Sequence, residues 1–180
     1  LRIWMDSLRA AQQIADRAFL EVVQLMRVGM TEREVAAELE YRMRRGGSEK
    51  ESFDTIVVSG PNSSLPHGVP GERPLETGDF VTMDFGAVVN GYHSDMTRTV
   101  AMGRADEEMQ KVYETVLQAQ CAALDVIQPG VTGQQADAAA RDVIVQAGYG
   151  PYFCHSTGHG VGLEVHEGPN LSARATAPLQ

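Results

Sequence analysis

Cysteine is scarce, with two residues in a chain of 180. Cys121 falls in a helical pattern and Cys154 stands beside a histidine, with no Cys-x-x-Cys spacing. A disulfide-built scaffold is excluded, and a reducing cytoplasm suits the pair better. Basic residues are also short: 15 Lys and Arg against 24 Asp and Glu leave a net charge of -9. That balance argues against nucleic acid or an anionic membrane surface as the partner. No apolar run approaches the ~20 residues of a membrane span, and no signal-peptide pattern opens the chain. The sequons at Asn62 and Asn170 therefore lack a secretory context. What remains is an apolar fraction of 43%, enough for one domain with a sizeable core. Leu1 in place of Met suggests a true start upstream.

The most informative stretch runs from Val81 to Thr99. Two runs rich in Val, Thr, Met and Phe flank Asn90-Gly91, the pair that favours a two-residue type I′ turn because both positions need φ > 0. Such a turn sets Val89 opposite Tyr92, Gly86 opposite Asp95, and Asp84 opposite Thr97. Asp84 and Asp95 then share a face, as diagonal neighbours roughly 7–8 Å apart at Cα. Two carboxylates there repel each other and are costly to desolvate unless a cation lies between them. A divalent metal is one explanation. A half-exposed hairpin whose polar face carries two acids is the other.

Around this hairpin the pattern is mixed helix and strand. Leu8, Ala11, Ala15, Ala18, Val22 and Leu25 form a helical stripe ended by Gly29. Thr31-x-x-Glu34 is a capping box opening a second helix, with Val35, Leu39 and Met43 inward and Gly46-Gly47 as the stop. Phe53 to Ser59 reads as a strand, and residues 60–78 as a long loop of the kind that is usually functional. After the hairpin, Asp106 is the N-cap of a helix to about Gln128, with Val112, Val116, Ala119 and Ala123 along one side. The pattern then returns. Thr132-x-x-Gln135 stands 101 residues after Thr31-x-x-Glu34, and Gly130 and Gly148 match Gly29 and Gly47 at the same spacing. This predicts an α+β chain of two related helix–helix–sheet halves, about 1–103 and about 104–180, about a pseudo-two-fold. Two helical pairs that merely share capping chemistry would give the same letters. On the repeat reading, the counterpart of the hairpin should begin near residue 180, so the second half looks incomplete.

Three of the five histidines, His155, His159 and His166, fall within twelve residues, between glycines that allow close backbone approach. Imidazole is both a common metal ligand and a proton shuttle near neutral pH. The spacing is not that of a helical His-Glu-x-x-His zinc site; it suggests a Gly-rich turn followed by a strand.

With Pro66-His67-Gly68, the pattern GD-x4-DFG and GY-x2-D-x-TRT over 78–99, and H-x3-HG-x-GLEVHE over 155–167, the chain resembles the pita-bread metallo-aminopeptidases, most closely the Xaa-Pro branch of prolidase and aminopeptidase P. The resemblance implies hydrolysis of Xaa-Pro bonds at peptide N-termini, with two divalent ions that activate a water. The ions would be Mn²⁺, with Co²⁺ or Zn²⁺ as the alternatives. It implies metal ligands at Asp84, Asp95 (bridging) and His159. His67, His155 and His166 match substrate-binding and proton-shuttling histidines, and Thr97 would orient a carboxylate. Two further glutamate ligands of the family lie downstream of anything in this sequence, and Glu164 and Glu167 belong to the preceding motif. The expectation is thus a single, incomplete catalytic domain. Its open sheet edge would pair with a second copy as a homodimer or aggregate, and it could be inactive on its own. The competing readings are a methionine aminopeptidase-type enzyme, an inactive pita-bread domain that binds proteins, a metal-free creatinase-like hydrolase, and a cysteine hydrolase. Asp84 and Asp95 count against the metal-free hydrolase. If Cys154 and His155 are strand neighbours they point to opposite faces, which counts against the cysteine dyad.

Overall fold

The computed structural model describes residues 3–180, so Leu1 lies outside the described residues. The chain divides into two compact units: residues up to Asp106 with Val161–Val165, and Glu107–Gly160 with His166–Gln180. No helix among the described residues is long and apolar enough to cross a membrane.

In the first unit, α1 (Ile3–Leu25) buries Ser7, Ala11, Ala15, Ala18 and Val22, a stripe at helical spacing. Leu25 departs from the predicted stripe and is 40% exposed. Met26, one full turn beyond Val22, takes the inward place and packs on the core. The helix α2 (Glu32–Arg45) opens with both bonds of the capping box: Thr31 Oγ1 accepts from the Glu34 amide at 3.1 Å, and Glu34 Oε2 accepts from the Thr31 amide at 2.8 Å. Val35, Leu39 and Met43 face inward as expected.

The sheet against these helices has the order β1 (Ile56–Ser59), β2 (Phe80–Phe85), β5 (Met96–Ala101), all antiparallel. The predicted strand from Phe53 is shorter. Glu51 bridges Ala87 and the Ser52 amide donates to Gly86 O, so the chain leaves the hairpin at 53 and joins the sheet only at Ile56. The Asn-Gly turn is as expected, with Asn90 at φ 51 and Gly91 at φ 77. It joins β3 (Val88–Val89) to β4 (Tyr92–His93), with Val89 opposite Tyr92, and the same register reappears as Asp84 opposite Thr97 in β2 and β5. Between the two ladders the Ser94 amide donates to Ala87 O at 2.9 Å, which keeps the strands in phase. Valines, methionines and Phe85 from the sheet close on the alanine face of α1 and on α2 to form the core. Each fully buried Leu, Met or Phe contributes about 1.5–3 kcal/mol.

The second unit repeats the plan. The helix α3 (Glu107–Val126) buries Thr115, Ala119 and Ala123. Val116, predicted inward, is 54% exposed, because the stripe is set by fourth-residue spacing through Thr115. The helix α4 (Gly133–Gln146) has its own complete capping box between Thr132 and Gln135. Gly29 and Gly130 share a φ of 93°, and Gly47 and Gly148 lie at 106° and 89°. The likeness extends further. The Gly29 amide donates to Leu75 O and the Gly130 amide to Leu179 O, while Thr31 bridges Pro74 as Thr132 bridges Pro178. The strands β6 (Gly158–Gly160) and β7 (Glu167–Leu171) form a small antiparallel pair with an irregular register.

Gly86 is the tightest point of the hairpin: a Cβ there would sit 1.9 Å from Ser94 O. Gly86→Ala should therefore lower stability by about 1–3 kcal/mol, since backbone must shift to admit one methyl. Urea unfolding of the two proteins tests this. An unchanged midpoint would mean that the strands part without cost at this position.

Candidate functional site

Asp84 and Asp95 lie on the sheet face opposite the core. Their chain neighbours Met83, Phe85 and Met96 are buried in the apolar cluster, whereas both aspartates are half-buried. In-phase pairing on either side of Gly86 and Asp95 places the two carboxylates on one face, with Thr97 across from Asp84 and exposed. Asp84 Oδ1 is sealed from solvent. A sealed carboxylate oxygen and a second carboxylate beside it are hard oxygen donors, whose chemistry fits a divalent cation. Among the described residues no three His, Cys, Asp or Glu side chains are gathered closely enough to hold an ion.

His67 sits in the long loop and is exposed. Gly68 lies so close to β1 that a Cβ would meet Val58 Cγ1 at 2.3 Å, which explains a glycine after this histidine. Both ends of the loop are tied down. Glu32, buried on the first turn of α2, accepts from the Ser59 amide, the Ser59 hydroxyl and the Gly71 amide at 2.8, 2.7 and 3.0 Å. Arg73 holds Asp79 through both carboxylate oxygens and donates to Ser59 Oγ at 2.7 Å. Burial would raise the Asp79 pKa. The Arg73 hydrogen bonds and the Glu76 amide overcome it and hold the carboxyl below its usual value of 3.8.

In the second unit His159 lies in β6 and His166 just before β7, with ring centroids 4.3 Å apart and planes tilted by 45°. His155 stands edge-on to Phe153 at 4.9 Å. His159 Nδ1 lies 2.9 Å from Gly160 O and His155 Nδ1 lies 2.8 Å from Ser156 O. A carbonyl only accepts, so in the neutral rings Nδ1 carries the proton and the lone pair is on Nε2. Cys154 and His155 are not on a strand. They occupy the bend between the 3₁₀ turn Gly150–Tyr152 and β6, which removes the opposite-faces argument. In place of a mutual contact, the Cys154 thiol donates to Pro151 O at 3.3 Å and His155 Nδ1 faces Ser156 O.

Sequence reasoning gave no role to Asp137 and Arg141 on α4. Arg141 holds Asp137 in a two-pronged ion pair, and Asp137 Oδ1 accepts from the Thr157 amide and hydroxyl at 3.1 and 2.7 Å. The one visible signal was their fourth-residue spacing on a helix. Glu32 and Asp79 were equally visible as letters, and equally silent about what they hold.

Residues 6–180 match the model of metallopeptidase family M24, and the chain belongs to that family. It is 51% identical over 173 residues to a Bacillus subtilis protein named Uncharacterized peptidase YqhT, covering 96% of this chain and 49% of that one. It is 46% identical over 168 residues to the Xaa-Pro dipeptidase of Pyrococcus furiosus, covering 93% and 48%. The solved Xaa-Pro dipeptidase from Bacillus anthracis superposes with a TM-score of 0.96 at 50% identity, covering 98% of this chain and 50% of that one. The α+β pita-bread class is thereby shown, and the chain spans about half the length of the relatives it matches.

The Asp79 carboxyl has a depressed pKa in the fold, so its contribution to stability is complete above the unfolded value of 3.8 and is lost as pH falls through the folded one. Asp79→Asn should be less stable than the parent at pH 7, and the gap should close as pH falls below the unfolded value of 3.8 and through the folded one. Chemical unfolding across that range measures it. A gap that stays constant to the acid end would refute the charge-based account.

Proposed function

We propose that this chain carries the metal-binding and histidine elements of a metal-dependent exopeptidase that hydrolyses Xaa-Pro bonds at peptide N-termini. The observation that carries the reading is the carboxylate pair Asp84 and Asp95 on one face of an M24 hairpin, with Asp84 Oδ1 sealed from water. The Xaa-Pro dipeptidase names of the relatives supply the substrate class.

In this reading Asp84, Asp95 and His159 would hold two divalent ions, with Mn²⁺ ahead of Co²⁺ or Zn²⁺ because oxygen donors dominate. Such ions supply Lewis acidity toward the scissile carbonyl and make water a better nucleophile. The chain's own residues do the rest. The hairpin register holds the two carboxylates in fixed relation, and Thr97, across from Asp84, orients one of them. His159 presents Nε2 because Nδ1 is held by Gly160 O. His155, likewise held at Nδ1, would accept the proton given up by the attacking water on Nε2 and return that proton to the departing amine. His166 donates to the carbonyl oxygen as charge builds there, and His67, on the anchored loop, contacts the peptide.

The test is release of free amino acid from an Xaa-Pro dipeptide with Mn²⁺ and then with excess EDTA. Cleavage should need metal, and Asp95→Asn should abolish it. Thr97→Val should cost about 10–100-fold in activity or metal affinity. Turnover that survives EDTA would overturn the reading. Preference for Met-Xaa over Xaa-Pro peptides would move the assignment to methionine aminopeptidase-type chemistry. Absence of both cleavage and Mn²⁺ binding would favour a protein-binding module.

A further inference from the structure

The histidine-bearing bend of the second unit is held by a device that the peptidase reading does not use. Arg141 and Asp137 lie one turn apart on α4, and the Asp137 side chain is 2% exposed. Their two-pronged pair, Nε to Oδ2 at 2.9 Å and Nη2 to Oδ1 at 3.0 Å, leaves further bonding capacity on both partners. Arg141 Nη1 donates to Phe153 O and Nη2 to His155 O, each at 2.9 Å. Asp137 Oδ1 accepts from the Thr157 amide and hydroxyl. Backbone groups of residues 153, 155 and 157 are thus all fixed to one turn of helix. The guanidinium also lies 4.2 Å from the centre of the Phe153 ring, and that ring meets His155 edge-on.

We infer that Asp137 and Arg141 are positioning residues that set the ring of His155 and the start of β6 by gripping alternate backbone groups of residues 153–157. The inference rests on the reading that His155 and His159 belong to the site. A buried ion pair adds little net stability over an apolar filling, but its short, directional bonds fix geometry. Ordering the bend alone would not require one. The planar fork matters as much as the charge, because lysine cannot span two carbonyls and two carboxylate oxygens at once. His155 is then constrained at its carbonyl by Arg141, at its ring by the T-shaped contact with Phe153, and at Nδ1 by Ser156 O. Two residues beyond Thr157, whose amide also donates to Leu171 O, comes His159.

The experiment uses the full chain labelled with ¹⁵N at about pH 8, where imidazole is neutral. Long-range ¹H–¹⁵N spectra report which ring nitrogen of each histidine carries the proton. His155 in the parent should be the Nδ1–H form. In Arg141→Lys it should become a mixture with the Nε2–H form, with His67 unchanged as the internal reference. Amide exchange at Thr157 and Gly158 should quicken by at least about tenfold. Thr157→Val, which removes one hydroxyl and leaves the ion pair intact, should move both readouts in the same direction by less. If either folded variant keeps the parent's His155 signals and exchange, the inference is overturned. Dipeptide hydrolysis separates this outcome from failure of the peptidase reading. In an active protein Arg141→Lys should lower kcat on the order of 10²-fold with KM little changed. A parent with the Nδ1–H ring but neither hydrolysis nor Mn²⁺ binding would sink the peptidase reading and leave the clamp standing. Full hydrolysis by Arg141→Lys would sink the clamp alone.

Discussion

The register of one hairpin is the constraint on which the first unit depends. Asn90 and Gly91 both hold positive φ, so the turn is short and its strands leave in a fixed phase. A slip of one residue would turn Asp84 into the core and Met83 and Phe85 out of it. The chemistry-bearing face and the apolar face are therefore set by the same event. Gly86 is the point where that phase is most exposed to error. The strands there approach until Ser94 O occupies the place of a side chain, and any other residue would pry apart the stretch between Asp84 and Asp95.

Both units solve a second problem with buried carboxylates. A long loop or bend that carries a histidine must be fixed without secondary structure of its own. In the first unit Glu32 takes the amide and hydroxyl of Ser59, and in the second Asp137 takes the amide and hydroxyl of Thr157. An arginine stands beside each: Arg73 on Ser59 and Asp79, and Arg141 on Asp137. The acids sit at different helix positions, and Arg73 is on a loop whereas Arg141 is on α4, so the likeness is one of chemistry and not of alignment. The capping boxes, by contrast, repeat at matching positions, down to the extended bridge that each threonine makes.

These layers differ in how far the letters revealed them. Turn and cap chemistry is local. Asn-Gly and Thr-x-x-Glu fix backbone angles and hydrogen bonds within four residues, so the hairpin register and both helix starts were legible. Helical stripes were legible except at their margins. Leu25 and Val116 each lie beside the residue that takes the inward position, and a rotation of one residue on a helix exchanges a buried side for an exposed one. The carboxylate pair was readable because strand alternation carries it from the turn. The grips of Glu32, Asp137 and Arg141 were not readable, because they join residues 12 to 39 positions apart through contacts that exist only once helix and loop are packed. The family motifs hold the histidines in view without showing what orients them.

The two apolar cores are unequal. Among the described residues the first unit closes sixteen buried apolar side chains into one cluster, including Leu39, Met43 and Phe85, while the cluster of the second consists of three alanines and Ile144. Opening free energy follows buried apolar area. The chain therefore has a graded cooperativity, with a stiff half that carries the acids and a softer half that carries most of the histidines. Heat, denaturant or a protease would loosen the histidine half first, while the hairpin keeps its carboxylates in place.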